Sequence, residues 1–155
     1  MGGGEVTARE AVYRLKVAKG FLAEASQDLE LERWRSAVDN AQLAVENGAK
    51  AALASVGPVG RTHMPAVKLR EALEEGLFEA ACRPQVLLLA EKAEVLGNDV
   101  HVQTDYGDEV GGRTPWELFD ESDAVQAVTV AVEAVRLAEE VIRRVTTFLP
   151  HEQPQ

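Results

Sequence analysis

The groups in this chain that could do chemistry are few and scattered. Three histidines, His63, His101 and His151, lie in separate segments, so a histidine-based metal site would need carboxylates brought from elsewhere. No metal-ligand spacing is present, and we expect no metal. The lone cysteine, Cys82, ends an apolar stretch, where a buried, inert thiol is expected rather than a nucleophile. It also excludes an internal disulfide and suits a reducing, cytoplasmic setting. Phosphate-cradling glycine patterns, the HExxH pair and a nucleophile elbow are missing. What remains is polar chemistry suited to holding a ligand. Glu46 and Lys50 in "ENGAK" form a charge pair one helical turn apart. Arg113 in "GGRTP" has glycine neighbours that would let a ligand approach the backbone. Each has a plainer reading: a solvated helix face for the first, an exposed loop charge or salt-bridge partner for the second.

These groups must be positioned by helices. At about 100° per residue, Trp34, Ala37, Val38, Ala41, Val45, Gly48 and Ala52 fall on one stripe, while Arg35, Asp39, Gln42, Glu46 and Lys50 line up away from it. The stripe predicts core, with Trp34 as an anchor in it; the polar line is either solvated or part of a cleft between helices. This helix should run from roughly Glu32 to Val56 and stop at "GPVG", Gly then Pro being a stop signal. Before it, a helix is expected from about Thr7, a candidate N-cap with Glu10 completing a capping box, to about Leu29. After it, Pro65 in a first turn opens a short helix to about Ala80, with His63 closing the turn ahead of it. A further helix follows "RP" at 83–84 and meets "GND" at 97–99. Asp105 to Pro115 reads as a loop. Ser122 to Val145 is the last helix: "TVAVEAV" alternates like a strand, but the run is long, unbroken and carries Glu139/Arg143 and Glu140/Arg144 pairs. It is apolar on more than one side, which places it mid-bundle or at a subunit interface. The expected fold is thus all-α, an up-and-down bundle of four or five helices in a single domain over 7–149, with 1–6 a flexible leader and 150–155 a flexible tail.

The 155 residues carry a formal net charge of −10. Residues 1–50 hold seven Lys/Arg and eight Asp/Glu; residues 51–155 hold nine and 18. Such a surface repels nucleic acid at long range, so non-specific nucleic-acid binding is not expected. No apolar run approaches the length of a membrane span, and no membrane association is expected.

"RWRSAVDNAQLAVENGAKAALASVGPVGRTHMPAVKL", Arg33 to Leu69, resembles the HEPN domain family. Trp34, Gln42, Ala44, Glu46, Lys50, Ala51, Gly57, Thr62 and His63 carry the match, and "FLAEASQDLE" and "TDYGDEVGGRTPWELFDESDAVQAV" are similar to the family's first helix and its acidic loop into the last. The resemblance implies a helical bundle that pairs as a homodimer through apolar helices. It also implies a nucleotide or RNA as ligand, a small nucleotidyltransferase-like protein as partner, and, in some relatives, ribonuclease activity within a toxin–antitoxin pair. It implies no cofactor beyond a nucleotide and leaves magnesium open.

Ribonuclease relatives carry Arg, four to six residues, then His. Arg144 and His151 match formally, but Pro150 breaks the helix before His151 and a tail residue is poorly pre-organised for acid–base work. The loop that relatives write Arg-Tyr-Pro-Asp is "DYGD" here: Asp105 replaces the Arg and Gly107 the Pro, while Tyr106 and Asp108 remain. A phosphodiester would meet anions instead of a guanidinium fork. The expected protein binds a nucleotide or a partner protein without catalysis, with Glu46, Lys50, Tyr106, Asp108 and Arg113 as the ligand-binding set. Two alternatives stand beside it, a toxin-type ribonuclease using Arg144 and His151 and a purely structural interaction domain.

Overall fold

The computed structural model describes residues 2–145, with side chains from Thr7 onward. Its helices are α1 (Gly2–Glu30), α2 (Trp34–Ala54), α3 (Pro65–Glu74), α4 (Arg83–Val95), α5 (Asn98–Tyr106), the single turn α6 (Pro115–Leu118) and α7 (Glu121–Val145). Among the described residues there is no strand, only an isolated bridge between Asp108 and Arg113. The fold is all-α, as expected.

The centre is a sheaf of α1, α2 and α7, each packed on the other two. Small residues make the close packing possible. Ala37, Ala41, Ala44, Gly48, Ala49 and Ala52 of α2 are buried, as are Ala124, Ala127, Ala131, Ala134 and Ala138 of α7. A Cβ on Gly48 would stand 3.6 Å from the Ala138 Cβ and 3.8 Å from the Ala134 carbonyl oxygen, ordinary contact distances with no room for more. The valines of α7 pack as helix, and its several-sided apolarity is explained by contact with α1, α2 and α4.

Polar ties set the register of the sheaf. Asp28 Oδ2 on α1 accepts from Ser36 Oγ and Asn40 Nδ2 on α2, both at 2.7 Å. Lys19 of α1 pairs with Glu139 of α7 at 3.1 Å, and Lys92 of α4 with Glu133 of α7 at 2.7 Å. The Lys92 ammonium, hydrogen-bonded to Glu133, holds that carboxyl below the usual range. No described helix is long and apolar enough to cross a membrane.

Several boundaries differ from the sequence reading. α1 starts at Gly2, so Thr7 is an interior residue rather than an N-cap, and residues 2–6, expected as leader, continue the helix. α3 ends at Glu74, where Gly76 at φ 71° lets the chain reverse; the apolar spacing continues to Leu77, but after the turn it is Phe78 that is buried and Leu77 that is exposed. The loop expected from Asp105 starts later, because α5 runs through Asp105 to Tyr106. α5 itself is the element missed: its one buried residue, Thr104, leaves no apolar periodicity to read. The expected tail, 150–155, lies outside the described residues.

Candidate functional site

The polar line of α2 is not a solvated face. α5 lies over its first half and the α4–α5 junction over its middle, so the side chains are partly or fully covered. Gln42 is 1% exposed, and the Glu46 and Lys50 side chains are each 12% exposed. Lys50 Nζ sits 3.2 Å from Glu46 Oε2. Gln42 Nε2 donates to Glu46 Oε1 at 3.5 Å, the long limit of a hydrogen bond. That contact fixes the amide orientation, since turning the amide would set oxygen against carboxylate. Gln42 Oε1 is then left buried with no partner.

Gln42 and Glu46 line a cleft of about 540 Å³. One wall is the segment that opens α3, with His63, Met64, Pro65, Ala66 and Val67; the other is the end of α4 and start of α5, with Val95, Leu96, Asn98, Asp99, Val100 and Gln103. The walls are therefore largely apolar and the floor polar. Glu94 stands at the rim, where Arg70 of α3 grips it through Nε at 2.8 Å and Nη2 at 2.7 Å. The Arg70 guanidinium holds the Glu94 carboxyl below the usual range. This bidentate tie fixes α3 against α4 and with it the width of the cleft. Asp99 has no ion-pair partner among the described residues. Neither Lys nor Arg lines the cleft; Lys50 touches it only through Glu46.

His63 does not close the turn before α3. It is exposed on the cleft wall, and the turn is closed by Thr62 Oγ1, which accepts from the Met64 backbone N–H at 3.0 Å.

The expected ligand set does not converge. Tyr106, Asp108 and Arg113 line a separate, smaller hollow of about 360 Å³ beyond α5, which shares only Gln103 with the α2 cleft. There Asp108 and Arg113 brace the loop. Asp108 and Arg113 exchange backbone hydrogen bonds at 2.8 and 2.9 Å, the Asp108 carboxylate accepts from the Gly111 N–H at 2.9 Å, and Arg113 Nη2 lies 3.8 Å from the same carboxylate. Gly107 at φ 69° approaches the Arg113 carbonyl so closely that a Cβ would overlap it, which explains glycine at this position. A guanidinium already facing a carboxylate is a poor anion receptor.

Sequence reasoning also passed over the start of α2. Arg35 Nη1 donates to the Thr104 carbonyl oxygen at 2.9 Å, and its guanidinium lies 5.3 Å from the centre of the Trp116 ring. Thr104 Oγ1 stands 3.1 Å from Asp39 Oδ1, and His101 Nδ1 is 3.5 Å from the same oxygen. Together these contacts fasten α5 and α6 onto α2. Trp34 is only half-buried, packing on the core from its edge. Cation and aromatic spaced far apart in sequence give no local signal; only the fold joins them.

Cys82 is buried, and desolvation pushes its thiol above the usual range despite the opposing charge of Arg144. Arg144 is exposed on α7, and His151 lies outside the described residues. Among the described residues no group of three or more His, Cys, Asp or Glu side chains is placed to hold a metal ion.

A family model described as HEPN domain matches residues 11–147 of the chain. No curated protein and no solved structure matches it.

Proposed function

Because the chain belongs to the HEPN domain family, we propose that it is a binding module without catalysis of its own, taking a nucleotide or a segment of a partner protein in the cleft on the polar face of α2. The observation that carries this reading is the cleft itself, about 540 Å³ with largely apolar walls, whose lining includes Gln42, a residue with a buried and unpaired Oε1. A buried acceptor left unpaired costs about 1–3 kcal/mol, a cost that a hydrogen-bond donor on a ligand removes. Apolar walls with one or two convergent polar groups are the usual makeup of a ligand site. The dimer and a nucleotidyltransferase-like companion belong to the same proposal, supported by apolar side chains left exposed on α7, Val125 and Val132.

The test is thermal unfolding of the purified protein with nucleoside mono-, di- and triphosphates, with and without magnesium. A ligand at a hundredfold excess over its Kd raises stability by about 2.7 kcal/mol. A shift lost in Gln42→Met and kept in Arg113→Ala assigns the ligand to the α2 cleft. The opposite pattern moves it to the loop hollow and refutes the cleft. RNA cleavage that vanishes in both Arg144→Ala and His151→Ala would overturn the non-catalytic reading.

A further inference from the structure

We infer that the natural occupant of the α2 cleft is a basic side chain, arginine or lysine, presented by a partner protein. This rests on the reading that the cleft is a binding site and names the chemistry it selects. Beside His63, Asn98 and Gln103, which can donate or accept, its lining carries groups that only accept, Glu46 and, at the α4–α5 side, Glu94 and Asp99, together with Gln42, whose buried Oε1 is unpaired. The internal cations Lys50 and Arg70 neutralise Glu46 and Glu94, which leaves the unpaired Asp99 carboxylate and the unpaired Gln42 oxygen to meet a donor. With no Lys or Arg lining the cleft, a phosphate entering it would lose its hydration and meet three carboxylates instead of an ammonium or guanidinium.

The apolar walls complete the match. Met64, Val67, Val95 and Leu96 offer surface to the methylene stem of a long basic side chain, while its head reaches the acceptors, the usual division of such a residue between apolar and polar surroundings. Met64, Val67 and Val95 are otherwise exposed, so the stem would cover apolar surface now facing water. A partner segment carrying the side chain would lie across the rim where α3 and α4 are tied by Arg70 and Glu94.

The probes are three short blocked peptides, acetyl-Gly-Xaa-Gly-amide with Xaa arginine, lysine or citrulline, and AMP as the anionic comparison. Citrulline keeps the length and planar head of arginine without its charge, a carbonyl oxygen standing in place of one amino group. Binding is followed by NMR of the Gln42 side-chain amide and neighbouring backbone signals of the full chain, which detects weak association. The expected result is saturable binding of the arginine and lysine peptides, weakened about tenfold or more by Asp99→Asn, by Gln42→Met and by citrulline. Asp99 is exposed on α5, so its variant keeps the test meaningful if Gln42→Met disturbs the fold. AMP binding at Gln42 without binding of the basic peptides would overturn the inference and leave the binding reading standing. Equal binding of the citrulline peptide would overturn the charge selectivity. Silence of the Gln42 region to every probe would overturn both.

Discussion

Replacing Gln42 by methionine separates a residue kept for binding from one kept for folding. The side chain is 1% exposed, makes one 3.5 Å hydrogen bond to Glu46 and leaves Oε1 unpaired. Methionine is close in length and volume, so no large cavity opens. The change removes an orphan acceptor that costs about 1–3 kcal/mol and a weak hydrogen bond worth about 0.5–1 kcal/mol. Glu46 keeps Lys50. The balance is an unliganded protein more stable by about 1 kcal/mol, or about 2–4 °C in Tm for a domain of this size. Urea unfolding of both proteins measures it, provided the two m-values agree. A loss of more than about 1 kcal/mol would refute the argument, because the amide would then be part of the structural network rather than a group held ready for a ligand.

Three further outcomes follow from the packing. Lys50→Met leaves the Glu46 carboxylate partly buried without its cation and should destabilise the fold by about 2 kcal/mol, whereas Glu46→Gln combined with Lys50→Met should recover most of that loss in urea melts. Gly48→Ala fits at ordinary contact distance and should raise stability by about 0.5–1 kcal/mol; Gly48→Val presses on Ala134 and Ala138 and should lower it by about 1–3 kcal/mol. Glu94, with its pKa depressed by Arg70, adds stability that is present above its ordinary 4.5 and lost as pH falls through the lower folded value. Melting curves of Arg70→Gln should therefore lie below the wild type near neutral pH and converge with it in acid; a constant gap across that range would show that the ion pair is not the cause.

How much of this was legible in the chain depends on whether the signal was local. The long helices α2 and α7 announce themselves through apolar and small residues recurring at helical spacing, which reports burial on one face. The "GPVG" stop and Pro65 at a helix start are backbone chemistry and carry through unchanged. The family's mark lies in the same stretch, Trp34 to His63. The sequence by itself therefore determined an all-α bundle and a polar line on α2 that required a reason.

Only the tertiary structure decided what that line faces. Whether Gln42 meets water or protein depends on α5 and the α4–α5 junction, and α5 buries a single threonine, too little to leave a pattern. The proposed ligand set was divided for the same reason: Glu46 and Lys50 are placed by the sheaf, Tyr106 by the end of α5, Asp108 and Arg113 by a loop closed on itself beyond it. The Arg70–Glu94 clasp and the approach of Arg35 to the Trp116 ring each join residues distant in sequence. Periodicity reports how one helix divides its own surface; a cleft is made where several helices meet, and its chemistry belongs to their packing.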